Sequence, residues 1–220
     1  MNANNRLQKI ADYVQSRLVD TYQKREDRER LDSLLFHADY RWQHTLRVSQ
    51  YGKVIAESEN ANIELVLAAC LLHDVAWFDT GIENSREHGR LGAQIARPLL
   101  KELSFRPSQI ENICYAIASH VDVENPDGQE AKILHDADSV DRFGPYRVLQ
   151  WCYPDLNDYY KLADKLRERI TRLENYRDEI LLFTQTGKQL FLEQLNLQIE
   201  FFCQFVGEKD LSIMPTLENL

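Results

Sequence analysis

The pattern of apolar positions along the chain predicts helices throughout, and one of them differs from the rest. Residues 65–72 are eight consecutive apolar residues with no periodic stripe. A helix that is apolar on every side is expected to be buried on every side. His73 and Asp74 follow directly, and an aspartate is almost never fully buried unless it is paired or binds a metal. We therefore interpret residues 65–74 as a central helix that ends in a ligand-bearing pair.

Other predicted helices carry single histidines or aspartates on their apolar stripes. In residues 40–58, His44 shares its stripe with Val48 and Ile55. Comparable stripes of three later helices carry His88, His120 and Asp138. One such histidine alone is more simply a core residue that is hydrogen-bonded to the backbone. Six buried imidazole and carboxylate groups each need a partner, and a shared metal ion is the simplest one.

The same periodicity predicts an all-α fold. No stretch alternates convincingly between apolar and polar residues, and only 8 Gly and 6 Pro occur in 220 residues. We expect a single domain over residues 1–220, with a core bundle at about 37–150 and a C-terminal helical extension at about 155–207. Local signals predict that Pro98 kinks or breaks one helix. They also predict that Ser108 and Asp155 each cap a later helix.

Charge and cysteine content narrow the classes of function. A net charge of −9 argues against a general nucleic-acid binder, although a nucleotide substrate stays open because a metal supplies positive charge locally. The four cysteines form no CxxC pair, which fits a reducing compartment. The longest apolar run is eight residues, whereas a membrane span needs about 20. We expect a cytoplasmic protein without a membrane partner.

Three segments, RWQHTLRV, LLHDVAWF and LHDADSVDRFG, resemble the motifs of the HD-domain superfamily of metal-dependent phosphohydrolases. The segments REHGRLGAQIA and ICYAIASHV add the two intermediate histidines found in many members. The match spans roughly residues 37–150 and is similar to small stand-alone bacterial members. This resemblance implies an all-helical fold that binds one divalent ion through His44, His73, Asp74 and Asp138.

The resemblance leaves the number and identity of the ions open. His88 and His120 then either bind phosphate or complete a second metal site. The HD pair is followed by residues 75–77, VAW, without the lysine that accompanies many two-metal members, which favours one ion. That lysine and a GYP stretch are usual in members that cleave cyclic dinucleotides, so such a substrate is not expected. Imidazole and carboxylate ligands suit Mn, Mg, Fe, Co, Ni or Zn.

We expect a phosphoester or phosphoanhydride to be hydrolysed by a metal-activated water, with a small phosphorylated molecule, first of all a nucleotide, as substrate. The expected catalytic residues are His88, His120 and Asp74. The same two histidines and three arginines are expected to hold the substrate, the arginines being Arg47, Arg86 and Arg142. Two alternatives stay open: a di-iron oxygenase of this family, with Asp74 bridging the metals, and a non-catalytic nucleotide or metal sensor. A homodimer stays open as well.

Overall fold

The structure, a computed structural model, describes residues 2–25, 37–80, 87–121 and 126–211, with side chains as far as residue 207. Most of these residues lie in helices. Within these ranges there are nine α-helices and no strand, so the predicted all-α class is confirmed. The helices are α1 (Ala3–Gln23), α2 (Ala38–Ser58), α3 (Ile63–Leu72), α4 (His88–Glu102), α5 (Pro107–Ser119), α6 (Gln129–Asp141), α7 (Pro145–Cys152), α8 (Tyr159–Glu179) and α9 (Gln185–Leu211).

Helix α3 is the central helix of the bundle formed by α1 to α6. It packs against each of the other five helices, and every residue from Leu65 to Leu72 except Leu67 is buried. The continuous apolar run is therefore surrounded by protein, as its lack of a polar face predicts. After Leu72 the chain continues in tight turns, which leave His73 and Asp74 only 1% and 2% exposed.

The close packing of α2 on α3 depends on Gly52. A β-carbon at this position would lie 2.6 Å from the sulfur of Cys70, nearer than non-bonded atoms approach one another. Because glycine has no side chain, the two helices can cross closely here. This crossing brings His44 of α2 toward His73, which follows α3.

Two local predictions about helix caps are wrong, and of the kink or break expected at Pro98 the break does not occur. Helix α4 continues through Pro98, because its packing against α5 offsets the loss of one backbone hydrogen bond. Helix α5 begins at Pro107, where a missing N–H costs nothing, so Ser108 lies inside the first turn. The cap of α8 is Asp158, whereas Asp155 belongs to a preceding 3-10 turn.

Helix α6 carries Asp138, and a buried carboxylate fixes this helix in place. Asp136 is fully buried and accepts hydrogen bonds from the backbone N–H groups of Phe183 and Thr184, at 3.0 and 2.7 Å, and from the Thr184 hydroxyl at 2.7 Å. A β-carbon on Gly187 would collide with the same carboxylate. We call this arrangement the Asp136 clamp; it holds α6 against residues 182–188.

The contacts between residues divide the chain into two compact units. The first consists of Met1–Asp141 and Leu182–Lys188, and the second of Arg142–Leu181 and Gln189–Leu220. That residues 1–220 behave as a single domain stays a prediction. None of the helices in the described part of the chain combines the length and the apolar character needed to cross a bilayer. All four cysteines are free thiols, and three of them are buried.

We predict that Asp136→Asn lowers the free energy of unfolding by about 2 kcal/mol. The amide keeps one acceptor oxygen but turns an NH2 group toward donors that need an acceptor. Urea unfolding followed by circular dichroism measures the loss. Asp20→Asn, at an exposed position of α1, is the control and should change stability by no more than about 0.5 kcal/mol. Equal stability of wild type and Asp136→Asn would show that the clamp contributes nothing.

Candidate metal centre

The first unit brings together six side chains that the sequence analysis singled out as ligands or catalytic groups. They come from α2, from the turns after α3, from the first residue of α4, from the C-cap of α5 and from α6. Five of them are buried, and the sixth, Asp138, is partly buried. The six are His44, His73, Asp74, His88, His120 and Asp138.

Three of these residues, which we call the His44 cluster, each offer one ligand atom within 4.8 Å of the other two: His44, His73 and Asp74. Asp74 Oδ2 lies 3.5 Å from His44 Nε2 and 3.2 Å from His73 Nε2. The two imidazole nitrogens are 3.3 Å apart. Asp138 reaches the cluster from α6, with its Oδ1 3.2 Å from His44 Nε2.

A second group, the His120 cluster, consists of Asp74, His88 and His120 and meets the same 4.8 Å limit. Asp74 Oδ1 lies 3.0 Å from His88 Nε2 and 3.9 Å from His120 Nε2, and the two nitrogens are 3.1 Å apart. Asp74 therefore belongs to both clusters and turns one oxygen toward each.

The separations between these atoms suit a divalent metal ion. Two ligand atoms that each lie about 2.1 Å from an ion are separated by about 3.0 Å in octahedral and about 3.4 Å in tetrahedral coordination. Most pairs in the two clusters are 3.0 to 3.5 Å apart. The donor set of imidazole and carboxylate, without thiolate, is compatible with several first-row metals and with magnesium.

The orientation of the histidine rings also favours a cation. His73 Nδ1 lies 2.7 Å from the carbonyl oxygen of Cys70, and His120 Nδ1 lies 2.6 Å from that of Ile117. A carbonyl only accepts, so in the neutral ring each Nδ1 carries the proton and each Nε2 keeps a lone pair. The lone pair of His73 then faces the carboxylate of Asp74, another acceptor. A cation between them satisfies both groups.

Burial and charge set the protonation of these groups. Burial, which disfavours the charged ring, lowers the pKa of His120 to about 3. Burial alone would raise the pKa of Asp74, but His73 and Arg41 hold it well below its usual range. Metal ions bind neutral imidazole and ionised carboxylate. At neutral pH His120 and Asp74 are therefore already in the form that a metal binds.

Asp141, which sequence reasoning left out of the site, orients His44. Its Oδ2 lies 2.7 Å from His44 Nδ1, and Arg47 donates to its two oxygens at 2.6 and 3.2 Å. Burial opposes the charge on His44, but hydrogen bonds to Asp138 and Asp141 outweigh it and raise the pKa of His44. Asp141 lies three residues after Asp138, a helical spacing that could have indicated its role. Arg47, predicted to bind substrate, supports the His44 cluster through this carboxylate.

Arg41 is the second residue that sequence reasoning missed. Its Nη1 donates to Asp74 Oδ2 at 2.5 Å, and its guanidinium carbon lies 3.5 Å from the centroid of the Trp77 ring. The side chain is buried, and its Nε has no hydrogen-bond partner in the described part of the chain. Arg41 precedes His44 by three residues and so lies on the same face of α2. The positive charge of Arg41 compensates the negative charge of Asp74.

Three other arginines are not members of either cluster in the described part of the chain. Arg86, predicted to bind substrate, lies outside the described residues. Arg142, the other such prediction, belongs to the second unit and lines a cleft there. Arg90 forms an ion pair with Glu87 at 3.4 Å on the surface.

Comparison with known proteins gives a matching domain model and a shared fold. The model of the HD domain matches residues 41–142, and no curated protein matches the chain. A predicted HD superfamily hydrolase from an uncultured Thermotogales bacterium aligns with a TM-score of 0.62 and 22% identity, over 94% of this chain and 99% of that one. An HD-superfamily hydrolase from Bacillus thuringiensis aligns with a TM-score of 0.63 and 19% identity, over 95% and 99%.

A third solved structure, of a protein from Lactobacillus plantarum, has a TM-score of 0.58 and 19% identity, over 96% of this chain and 100% of that one. At these identities the similarity shows a shared fold. The matched region contains both the HD pair and the histidines and aspartates that surround it, so the resemblance predicted from the motifs is confirmed. Residues 41–142 thus match the HD domain, and the chain shares its fold with two solved structures that are described as HD-superfamily hydrolases.

Proposed function

We propose that this chain is a metal-dependent phosphohydrolase that cleaves a phosphoester or phosphoanhydride, with a nucleotide as the first substrate to test. The observation that carries the proposal is the placement of Asp74, a buried carboxylate that turns one oxygen toward each of two histidine clusters. Two solved structures that share the fold are described as HD-superfamily hydrolases, which supports hydrolysis as the type of reaction.

The residues that we propose to hold metal are His44, His73, Asp74 and Asp138, as the family resemblance implies. When bound, a divalent ion lowers the pKa of a coordinated water and polarises a phosphoryl oxygen. The chain itself contributes the dry surroundings of the ligands and the hydrogen bonds that aim each Nε2 into the cluster. Asp141 and the Cys70 carbonyl therefore act as positioning groups for His44 and His73.

The geometry of the His120 cluster leads us to favour two ions over one. His88 Nε2 and His120 Nε2 are both near Asp74 Oδ1, and the His120 ring is aimed there by its bond to a backbone carbonyl. Because its Nδ1 donates to that carbonyl, the neutral His120 ring has a lone pair on Nε2, which suits a metal ion better than a phosphate oxygen. The missing lysine after the HD pair weighed toward one ion, and the arrangement of these side chains outweighs it.

Two arginines are the proposed contacts for the remaining negative charge of the substrate. Arg41 lies against Asp74 and keeps an Nε without a hydrogen-bond partner in the described part of the chain. Arg47 is about a quarter exposed while it donates to Asp141. A guanidinium offers several donors in one plane, so an arginine that already binds a carboxylate can still donate to a phosphate. The Trp77 ring, which stacks on Arg41, offers a surface for a base.

Hydrolysis is tested by incubating the purified chain with nucleoside mono-, di- and triphosphates and with aryl phosphates, in the presence of Mn, Mg, Co, Ni, Zn or ferrous iron. We expect release of phosphate or pyrophosphate with at least one metal, its loss on addition of a chelator, and its recovery when the metal is restored. Tight nucleotide binding without turnover under every condition would contradict the proposal and favour a sensor.

The ligand assignment predicts that Asp74→Asn loses most of its metal. The amide is a weaker ligand and takes away the one group that both clusters share, so metal content should fall below about a tenth of the wild-type value. Elemental analysis of dialysed protein measures this. Asp39→Asn, at a position of α2 whose side chain is 85% exposed, is the control and should keep full metal content. Undiminished metal in Asp74→Asn would refute the assignment.

The number of ions is tested with His120→Ala. If the His120 cluster binds its own ion, this variant should lose about one of two ions per chain and keep the other at the His44 cluster. His37→Asn is the matched control, because it removes an exposed imidazole that caps α2 and supplies another good capping residue. An unchanged metal content in His120→Ala, with a slower reaction, would support a single ion and a phosphate contact for His120.

The shared carboxylate also keeps a di-iron oxygenase as a second candidate. Two imidazole clusters joined by Asp74 suit a bridged pair of irons as well as a pair of hydrolytic ions. Iron near two per chain in the purified protein, with an optical band of a bridged ferric pair and no phosphohydrolase activity, would favour oxidation.

A further inference from the structure

The second unit contains a cleft that is lined by residues belonging to neither histidine cluster. It has a volume of about 230 Å³, many times the space that one water molecule needs. Three arginines and three aromatic residues line most of it, and no acidic residue does so in the described part of the chain. They are Arg142, Arg147, Arg169, Phe143, Trp151 and Tyr176.

Arg169 is the most informative of these residues. It is only 8% exposed, and its Nε has no hydrogen-bond partner in the described part of the chain. Its guanidinium carbon lies 4.5 Å from the centroid of the Trp151 ring and 5.5 Å from that of Tyr176. Burial lowers the pKa of Arg169, a hydrogen bond with Tyr176 acts against this, and the charges of Arg147 and Arg172 lower the pKa further. The guanidinium of Arg169 thus packs against two aromatic rings, while neighbouring arginines repel its positive charge.

Two lysines of this unit, unlike Arg169, are paired with a carboxylate as far as the structure describes the chain. Lys161 and Lys165 both donate to Asp155, at 2.6 and 2.8 Å. Among the described residues, neither Arg169 nor Arg147 has a carboxylate partner of this kind. A buried charge without a counter-ion is costly, so an anion from solution is the natural partner.

We propose that this cleft binds a phosphorylated small molecule, with the phosphate between Arg147 and Arg169 and the organic part against Trp151 and Tyr176. A phosphate monoester carries a charge of about −1.5 to −2 at pH 7, which two or three guanidinium groups can match. The planar guanidinium donates two parallel hydrogen bonds to phosphate oxygens. The aromatic walls offer flat apolar surface for a ring attached to the phosphate.

The test uses phenylphosphonate as a probe, because its carbon–phosphorus bond resists hydrolysis. Inorganic phosphate serves as a second probe that lacks the ring. Equilibrium dialysis and calorimetry with the metal-loaded full chain count the molecules bound and measure their affinity. We expect Arg169→Met and Arg147→Met to weaken one phenylphosphonate site by about tenfold or more. Phosphate should occupy the same site more weakly because it lacks the ring.

Arg172→Met is the matched control, since Arg172 is exposed on α8, the helix of Arg169, and does not line the cleft. The affinity of this variant for phenylphosphonate should stay within about twofold of the wild-type value. Circular dichroism checks that each variant folds. If Arg169→Met, which replaces the more buried arginine, does not fold, the affinity of Arg147→Met for phenylphosphonate decides the test. Two results would overturn the proposal. One is unchanged affinity in Arg147→Met, and the other is loss of all phenylphosphonate binding in Asp74→Asn, which would place the probe at the metal centre.

Discussion

The first unit depends on the burial of one carboxylate at the end of an apolar helix. Asp74 is only 2% exposed, and an ionised carboxylate is stable there only if neighbouring groups replace water. Those groups arrive from different parts of the chain: an arginine and a histidine from α2, and one histidine each from the start of α4 and the end of α5. Helices α2, α4 and α5 thus each bring a basic side chain to this carboxylate.

Much of this arrangement could be predicted because it depends on sequence patterns within single helices. The apolar run from Leu65 to Leu72 identified the central helix, and helical spacing placed His44, His88 and His120 on buried faces. Arg41 and Asp141 could also have been predicted from helical spacing, because each lies three residues from a predicted ligand. They were overlooked because charged residues on a helix are usually solvated, and only their contacts show that these two are buried.

Other features could not be read from the sequence because they join distant segments. Asp136 and Thr184 are 48 residues apart, and nothing near either residue indicates that they meet. The stacking of Arg169 on Trp151 likewise depends on how α8 packs within the second unit, and the helical pattern of that region suggested no chemistry. Pro98 shows the reverse case, since a strong local signal for a break was overridden by the packing of α4 on α5.

The two oxygens of Asp74 have a consequence for the thermodynamics of binding. They sit on one carbon and share one negative charge, so a positive charge drawn to the His44 cluster changes the field at the His120 cluster, and the reverse holds to the same extent. If both clusters bind ions, an ion at the His120 cluster changes the affinity of the His44 cluster for its own ion. An ion at the His44 cluster then changes the affinity of the His120 cluster by the same factor.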